Sequence, residues 1–196
     1  AYPKKKSPVL RGVSLKFSAG KVTALTGESG AGKSTVLKLL AGLLEPTAGE
    51  IFWNDLPTSR MEKNSRLSKV SYAPQAPHLF DAPLIKNFTM FDALDAASLK
   101  EFLSALNLPL DLDAARKLSR GQLQRLGLIR ALLKDTPIIL LDEPTAGLDE
   151  VTERKVLALI KKCSPRRTII IATHRLPVIE FAAEVVHLET LKEGLI

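Results

Sequence analysis

The chain has 196 residues, 45% of them hydrophobic and 25% charged, with a formal net charge of +7. Such a composition is ordinary for a globular domain long enough to bury a sizeable core, and no apolar run approaches the about 20 residues of a membrane-crossing helix. A single cysteine, Cys163, excludes an intrachain disulfide and fits a reducing compartment.

The excess of positive charge comes partly from Lys4-Lys5-Lys6 and is otherwise scattered, which reads as a solvated surface. Nucleic acid, an anionic membrane surface and polyphosphate ligands remain open as partners for such a charge. No apolar segment follows the three lysines, so no secretion signal is visible. The chain opens without a methionine, as a piece excised from a longer polypeptide would.

Taken in order, residues 8–18 alternate through Val9, Leu10, Val13, Leu15 and Phe17, which predicts antiparallel strands with a turn at Arg11-Gly12. Val22-Thr23-Ala24-Leu25-Thr26 is short, apolar and β-branched, a buried strand. Val36, Leu37, Leu39, Leu40 and Leu43 then recur at helical spacing, predicting a helix from Lys33 to about Gly42. Ile51 to Trp53 is a short strand, 54–67 a polar loop with a weak helix, and Val70-Ser71-Tyr72-Ala73 a strand stopped by Pro74-Gln75. From Leu84 to Leu106 the pattern is helical. Ser119 with Gln122 three residues on is a capping-box signature opening an amphipathic helix through Leu133.

Ile138 to Leu141 followed by Asp142-Glu143-Pro144 reads as a buried parallel strand with acids at its C-terminal end. Asp149 caps a helix to about Lys162, Thr168 to Thr173 is a strand ending at His174, a short helix spans Pro177 to Ala183, and Val185 to Leu188 closes the chain. Strands alternating with helices predict an α/β fold with a largely parallel core and an N-terminal antiparallel portion. The helical stretch 76–134 would form a lobe inserted between core segments 1–75 and 135–196.

Gly27-Glu28-Ser29-Gly30-Ala31-Gly32-Lys33-Ser34-Thr35 fits the phosphate-loop pattern G-x-x-x-x-G-K-[ST], between the strand and the helix that the motif requires. Glycines permit positive φ values that curl backbone N–H groups into a nest, and the helix N-terminus adds further donors. Lys33 would reach the β- and γ-phosphates and Ser34 would ligate Mg2+. Asp142 is placed to hold Mg2+ opposite the loop. Adjacent strand residues point to opposite faces, but at a strand end both Asp142 and Glu143 can reach a ligand. Glu143 is then a candidate to orient or deprotonate water, or an acid capping the turn before Pro144. Gln75 offers an amide to Mg2+ or water, or is a solvated loop residue. His174 is either catalytic or packed at a strand end, and Tyr2 either stacks on a base or lies in a terminal tip. His78, His187, Cys163 and Trp53 are assigned no function.

The ordered set of phosphate loop, Gln75, L-S-R-G-Q, I-I-L-L-D-E-P, A-G-L-D and T-H-R resembles the nucleotide-binding domain of ATP-binding cassette (ABC) transporters, of exporter-like type with a shortened helical lobe. Its most specific part is L-S-x-G-Q with Gln124-Arg125 to Arg130-Ala131-Leu132 following. The resemblance implies a P-loop ATPase fold and a head-to-tail dimer sandwiching ATP and Mg2+, with each ATP on one protomer's phosphate loop. Ser119, Gly121 and Gln122 of the other protomer would cover it. By the same resemblance, Glu143 is the catalytic base and His174 the γ-phosphate switch. Gln75 links nucleotide to lobe, Tyr2 stacks on adenine, and Asp149 bridges protomers.

It further implies a transmembrane partner domain in cis or trans, a place on the cytoplasmic face of a membrane, and no nucleic-acid partner. Non-transport cassettes acting on nucleic acid or ribosomes are the alternative. Departures from the pattern are Arg120 at the third signature position, where glycine is usual, and Ala183, where Asp is usual. The lobe is also short, and the acidic-glycine element that exporters carry before the signature is missing.

Overall fold

The computed structural model describes residues 9–78, 80, 84–89, 96–108 and 118–189. In chain order they form β1 (Val22–Thr26), α1 (Lys33–Leu40), β2 (Phe52–Trp53), β3 (Leu56–Pro57), α2 (Lys63–Ser68), β4 (Val70–Ala73), α3 (Leu84–Thr89) and α4 (Ala96–Ala105). Then follow α5 (Arg120–Leu133), β5 (Ile138–Asp142), α6 (Glu150–Cys163), β6 (Thr168–Ala172), α7 (Leu176–Phe181) and β7 (Glu184–His187).

Five strands make one parallel sheet in the order β4-β5-β6-β1-β7. β5 and β6 carry the uninterrupted apolar runs 138–141 and 169–172 because both faces are covered, as in parallel sheets. Ile139, Leu141, Ile169 and Ile171 face a core completed by Leu103 of α4, Leu106 just after it, Leu126, Ile129 and Leu132 of α5, and Val156 and Ile160 of α6. The alternate residues, Leu25, Leu140, Ile170 and Ala172, face Val36 and Leu37 of α1. The two-residue period of a strand thus distributes one apolar run between two cores.

The predicted buried strands and the helices opening at Lys33, after Ser119 and after Asp149 form where the sequence places them. The antiparallel pairing lies elsewhere than expected. Phe52–Trp53 pairs with Leu56–Pro57 around Asn54, whose φ is 53°, whereas residues 9–18 form no strand. Their alternation marks a buried face rather than a ladder. Leu10, Leu15 and Phe17 rest on the α1-side core, while Val13 stays 38% exposed. The helical pattern of Leu84 to Leu106 becomes two described helices, α3 and α4. Trp53 is partly buried against the α1-side core and Cys163 against the other, in keeping with packing roles. Burial raises the Cys163 thiol pKa.

Candidate functional site

Parallel register brings the C-terminal ends of four strands to one edge. Asp142 pairs with Ala172, and Ala172 in turn with Leu25. One step further along, Glu143 N–H donates to the Ala172 carbonyl at 2.9 Å and Thr173 N–H to the Leu25 carbonyl at 3.1 Å. The next residues outward are Gly27 after β1 and His174 after β6, while Gln75 leaves β4 beside β5 as an exposed bend residue. Ligands of open α/β sheets collect at this edge.

In the phosphate loop, Gly27, Gly30 and Gly32 have φ values of 146°, 84° and 105°. A Cβ on Gly27 would lie 2.7 Å from the Leu188 carbonyl oxygen. Gly32 is the N-cap of α1 and brings no capping side chain. The first intrahelical bond is Val36 N–H to Gly32 O, at 2.9 Å. Helix geometry therefore leaves the Lys33 and Ser34 N–H groups without an intrahelical acceptor, aimed where an anion binds. Lys33 Nζ donates to the carbonyls of Gly27 at 2.7 Å and Glu28 at 2.9 Å, which folds the ammonium over the loop.

At the end of β5 the acids are buried, Asp142 to 5% and Glu143 to 9% exposure. The Tyr72 hydroxyl donates to Asp142 Oδ2 at 3.3 Å. Glu143 has a φ of 50°, a left-handed conformation costing a non-glycine residue about 1–3 kcal/mol. That twist takes Glu143 out of strand alternation, so it need not point away from Asp142. Three bonds hold it: its own N–H to Ala172, and its carbonyl accepting from Ala146 N–H at 3.1 Å and from Gln124 Nε2 at 2.8 Å. Its Oε1 lies 2.8 Å from His174 Nδ1, while Oε2 is buried without a hydrogen-bond partner. An orphaned carboxylate oxygen beside an anion nest is suited to a water or cation ligand.

Ser119, Gly121 and Asp149 lie at helix starts rather than at strand ends. Ser119 is the exposed N-cap of α5, with the expected capping box: its Oγ accepts from Gln122 N–H at 3.3 Å and its N–H donates to Gln122 Oε1 at 2.8 Å. Arg120 begins the helix and is exposed. Asp149 caps α6, accepting from Thr152 N–H at 2.9 Å and Thr152 Oγ1 at 2.7 Å. Those donors, the hydroxyl first, lower its carboxyl pKa. Tyr2 lies outside the described residues.

Sequence reasoning assigned no site role to Tyr72, Gln124 or Arg175, each of which bonds to a site segment. Gln124 had a signal, its place in the block after L-S-x-G-Q, but its target 19 residues away had none. Among the described residues no three His, Cys, Asp or Glu side chains cluster as a metal site. The donors present, a Ser hydroxyl and carboxylates beside a phosphate nest, suit a hard cation completed by phosphate oxygens and water rather than a closed protein cage.

Residues 10–146 match the family model described as ABC transporter. The glutathione/L-cysteine transport system ATP-binding/permease protein CydC of Escherichia coli is 38% identical over 186 residues, covering 89% of this chain and 32% of that protein. The ATP-dependent lipid A-core flippase of Bordetella avium is 34% identical over 203 residues, covering 96% of this chain and 34% of that protein. The chain spans about a third of the length of these curated relatives. Among solved structures, a bacterial Atm1-family ABC exporter with ATP bound superposes with a TM-score of 0.86 at 29% identity, over 97% of this chain and 35% of that one. A dimeric ATP-binding cassette in a post-hydrolysis state with ADP and phosphate gives 0.81 at 27% identity, over 93% and 87%. The matched span begins before the phosphate loop and passes Glu143, and the chain belongs to the ABC transporter family, as a domain that binds and hydrolyses ATP.

Proposed function

We infer that this domain is the motor of an exporter-type transporter, in which ATP closes two such domains on one another and hydrolysis reopens them. The observation that carries the chemistry is the convergence of the phosphate loop with the Glu143–His174 contact at one sheet edge. The names of the relatives, a transport system protein and a flippase, support the transport reading. No described helix is long and apolar enough to cross a membrane, so the membrane-spanning part would be a transmembrane partner domain, in cis or trans. The domain would sit on the cytoplasmic face of that membrane, with segment 76–134 as the lobe that meets the partner.

The loop N–H groups and Lys33 hold the β- and γ-phosphates, and Tyr2 stacks on the adenine. Ser34, Asp142 and Gln75 would hold Mg2+, which when bound neutralises phosphate charge. Glu143 then orients a water and takes its proton as the water oxygen bonds to the γ-phosphorus. The bond from that phosphorus to the bridging oxygen breaks, and the electron pair leaves with ADP. His174, hydrogen-bonded to Glu143, fixes the carboxylate's direction and reaches the γ-phosphate. Positioning and electrostatics supply most of phosphoryl-transfer catalysis.

The second protomer would supply Ser119, Gly121 and Gln122. Gly121 supports this: it has no positive φ, and a Cβ added there would meet nothing within 4 Å. Among the described residues nothing crowds that position, which leaves room for a second protomer's nucleotide to approach. Asp149, exposed at the start of α6, would bridge to the partner. The decisive experiment is ATP hydrolysis by Glu143→Gln. Removing a general base costs about 10²–10⁴-fold in turnover, and a variant as fast as the parent would exclude Glu143 from that role.

A further inference from the structure

Two consecutive residues leave the end of β6 in different directions. His174 remains outside, its side chain 70% accessible, against Glu143. Arg175 turns inward. Its Nη1 donates to the carbonyl of Thr145 at 2.5 Å and of Leu148 at 3.2 Å, and its Nη2 to Glu153 Oε2 at 2.9 Å. Glu153 is 2% exposed on the first turn of α6, where its N–H donates to the Asp149 carbonyl at 2.9 Å. The Arg175 backbone is held too, its N–H donating to Thr173 Oγ1 at 3.1 Å.

The three acceptors belong to one short segment and its exit. Residues 143–149 run from Glu143, with its left-handed φ, to Asp149, the cap of α6, turning at Gly147 with a φ of 72°. The Thr145 and Leu148 carbonyls flank that turn. His174 therefore holds the Glu143 end of the segment and Arg175 holds the Asp149 end. Both are on one peptide link, so neither end can shift far without the other. A guanidinium is a planar fork of five donors that can meet three acceptors at fixed angles, whereas an ammonium is a point charge on a flexible stem.

We propose that Arg175 is a positioning residue for the composite ATP site: it sets the 145–148 turn, and with it the approach of Asp149 to the second protomer, in register with the Glu143–His174 contact. This rests on the roles of Asp149 and Glu143 given above. The competing account is a buried ion pair that merely fastens α7 to α6. The two differ in which bonds matter, the carbonyls or the Glu153 carboxylate.

The test measures ATP turnover, KM for ATP and melting temperature on the full-length protein, for Arg175→Lys, Glu153→Gln and the double variant Arg175→Met/Glu153→Leu. The double variant removes both charges together and leaves no buried ion alone, so it folds and melts close to the parent. It loses the carbonyl clamp, so kcat falls on the order of 10- to 100-fold with KM little changed. Arg175→Lys recovers part of kcat, and Glu153→Gln keeps most of it. Added to Asp149→Ser, which retains a capping hydroxyl, the double variant slows turnover no further, because both act through one contact. A folded double variant that turns over like the parent overturns the proposal, as does kcat that tracks melting temperature across the set, or losses that multiply with Asp149→Ser. Glu143→Gln assayed in parallel separates the two readings. If it is slow while the double variant is fast, the Arg175 proposal alone fails; if it is fast, the underlying assignment of Glu143 fails.

Discussion

The N-termini of α1 and α5 are both glycine-containing helix starts, and they are finished in opposite ways. At α1 the cap is Gly32, left-handed and without a capping side chain, so first-turn donors stay aimed at a ligand. At α5 the cap is Ser119, and it and Gln122 satisfy one another's backbone N–H groups. The glycines differ as well. Gly27 and Gly32 are dictated from within, by positive φ and by Leu188 and Leu10 standing 2.7 and 2.6 Å from any added Cβ. Among the described residues nothing dictates a glycine at 121. One helix start therefore keeps its cap free of side chains, as the proposed phosphate site requires. The other is a self-sufficient helix end with open space over its glycine among the described residues.

The contrast breaks most visibly at Gly32→Ala. The forced positive φ alone costs on the order of 1–3 kcal/mol, and the methyl meets Leu10 as well. A lower melting temperature and a large loss of ATP affinity are expected together, read by thermal melts and nucleotide titration. Unchanged affinity would mean that the curl of the loop does not hold phosphate.

Gly121→Ala should do the reverse. Alanine is the better helix former by up to about 1 kcal/mol, so the fold should hold or gain stability. Under the proposed trans contact, turnover should nevertheless fall, because the methyl would intrude on the γ-phosphate held by the second protomer. Parental turnover in this variant would remove the argument for a trans contact at α5.

The smallest effect belongs to α6, a third helix start, capped by a carboxylate. Thr152 holds the Asp149 carboxyl pKa below its ordinary value of 3.8. A pKa depressed by folding contributes stability that is complete above the unfolded value and lost as pH falls through the folded one. Asp149→Asn keeps an acceptor but cannot titrate. Its melting temperature should therefore drop less than the parent's between about pH 5 and about pH 3. Equal acid sensitivity would show that the cap does not depend on charge.

The three helix starts were legible because each rests on a local signal: glycines before Lys33, Ser119 with Gln122 three on, and Asp149 before a helical period. The buried strands were legible for the same reason, apolar runs of strand length ending in Asp142 or His174. Residues 9–18 were misleading because alternation specifies which side chains are buried and says nothing about whether another strand is in reach to pair with. The helical pattern from Leu84 to Leu106 was legible for the same reason as the helix starts, a local period, and α3 and α4 fall within it.

The sequence by itself determined the phosphate loop, the acids at the end of β5, the signature cap and the alternation of strands and helices, all of which depend on neighbours within a few residues. Tertiary structure alone decided that Glu143 takes a left-handed twist held by Gln124, that His174 meets it, and that Arg175 grips the Thr145 and Leu148 carbonyls. These contacts join residues 19 to 31 positions apart. Their physical cause is the shared edge of a parallel sheet, which sets distant chain segments side by side and leaves no periodic trace in any one of them.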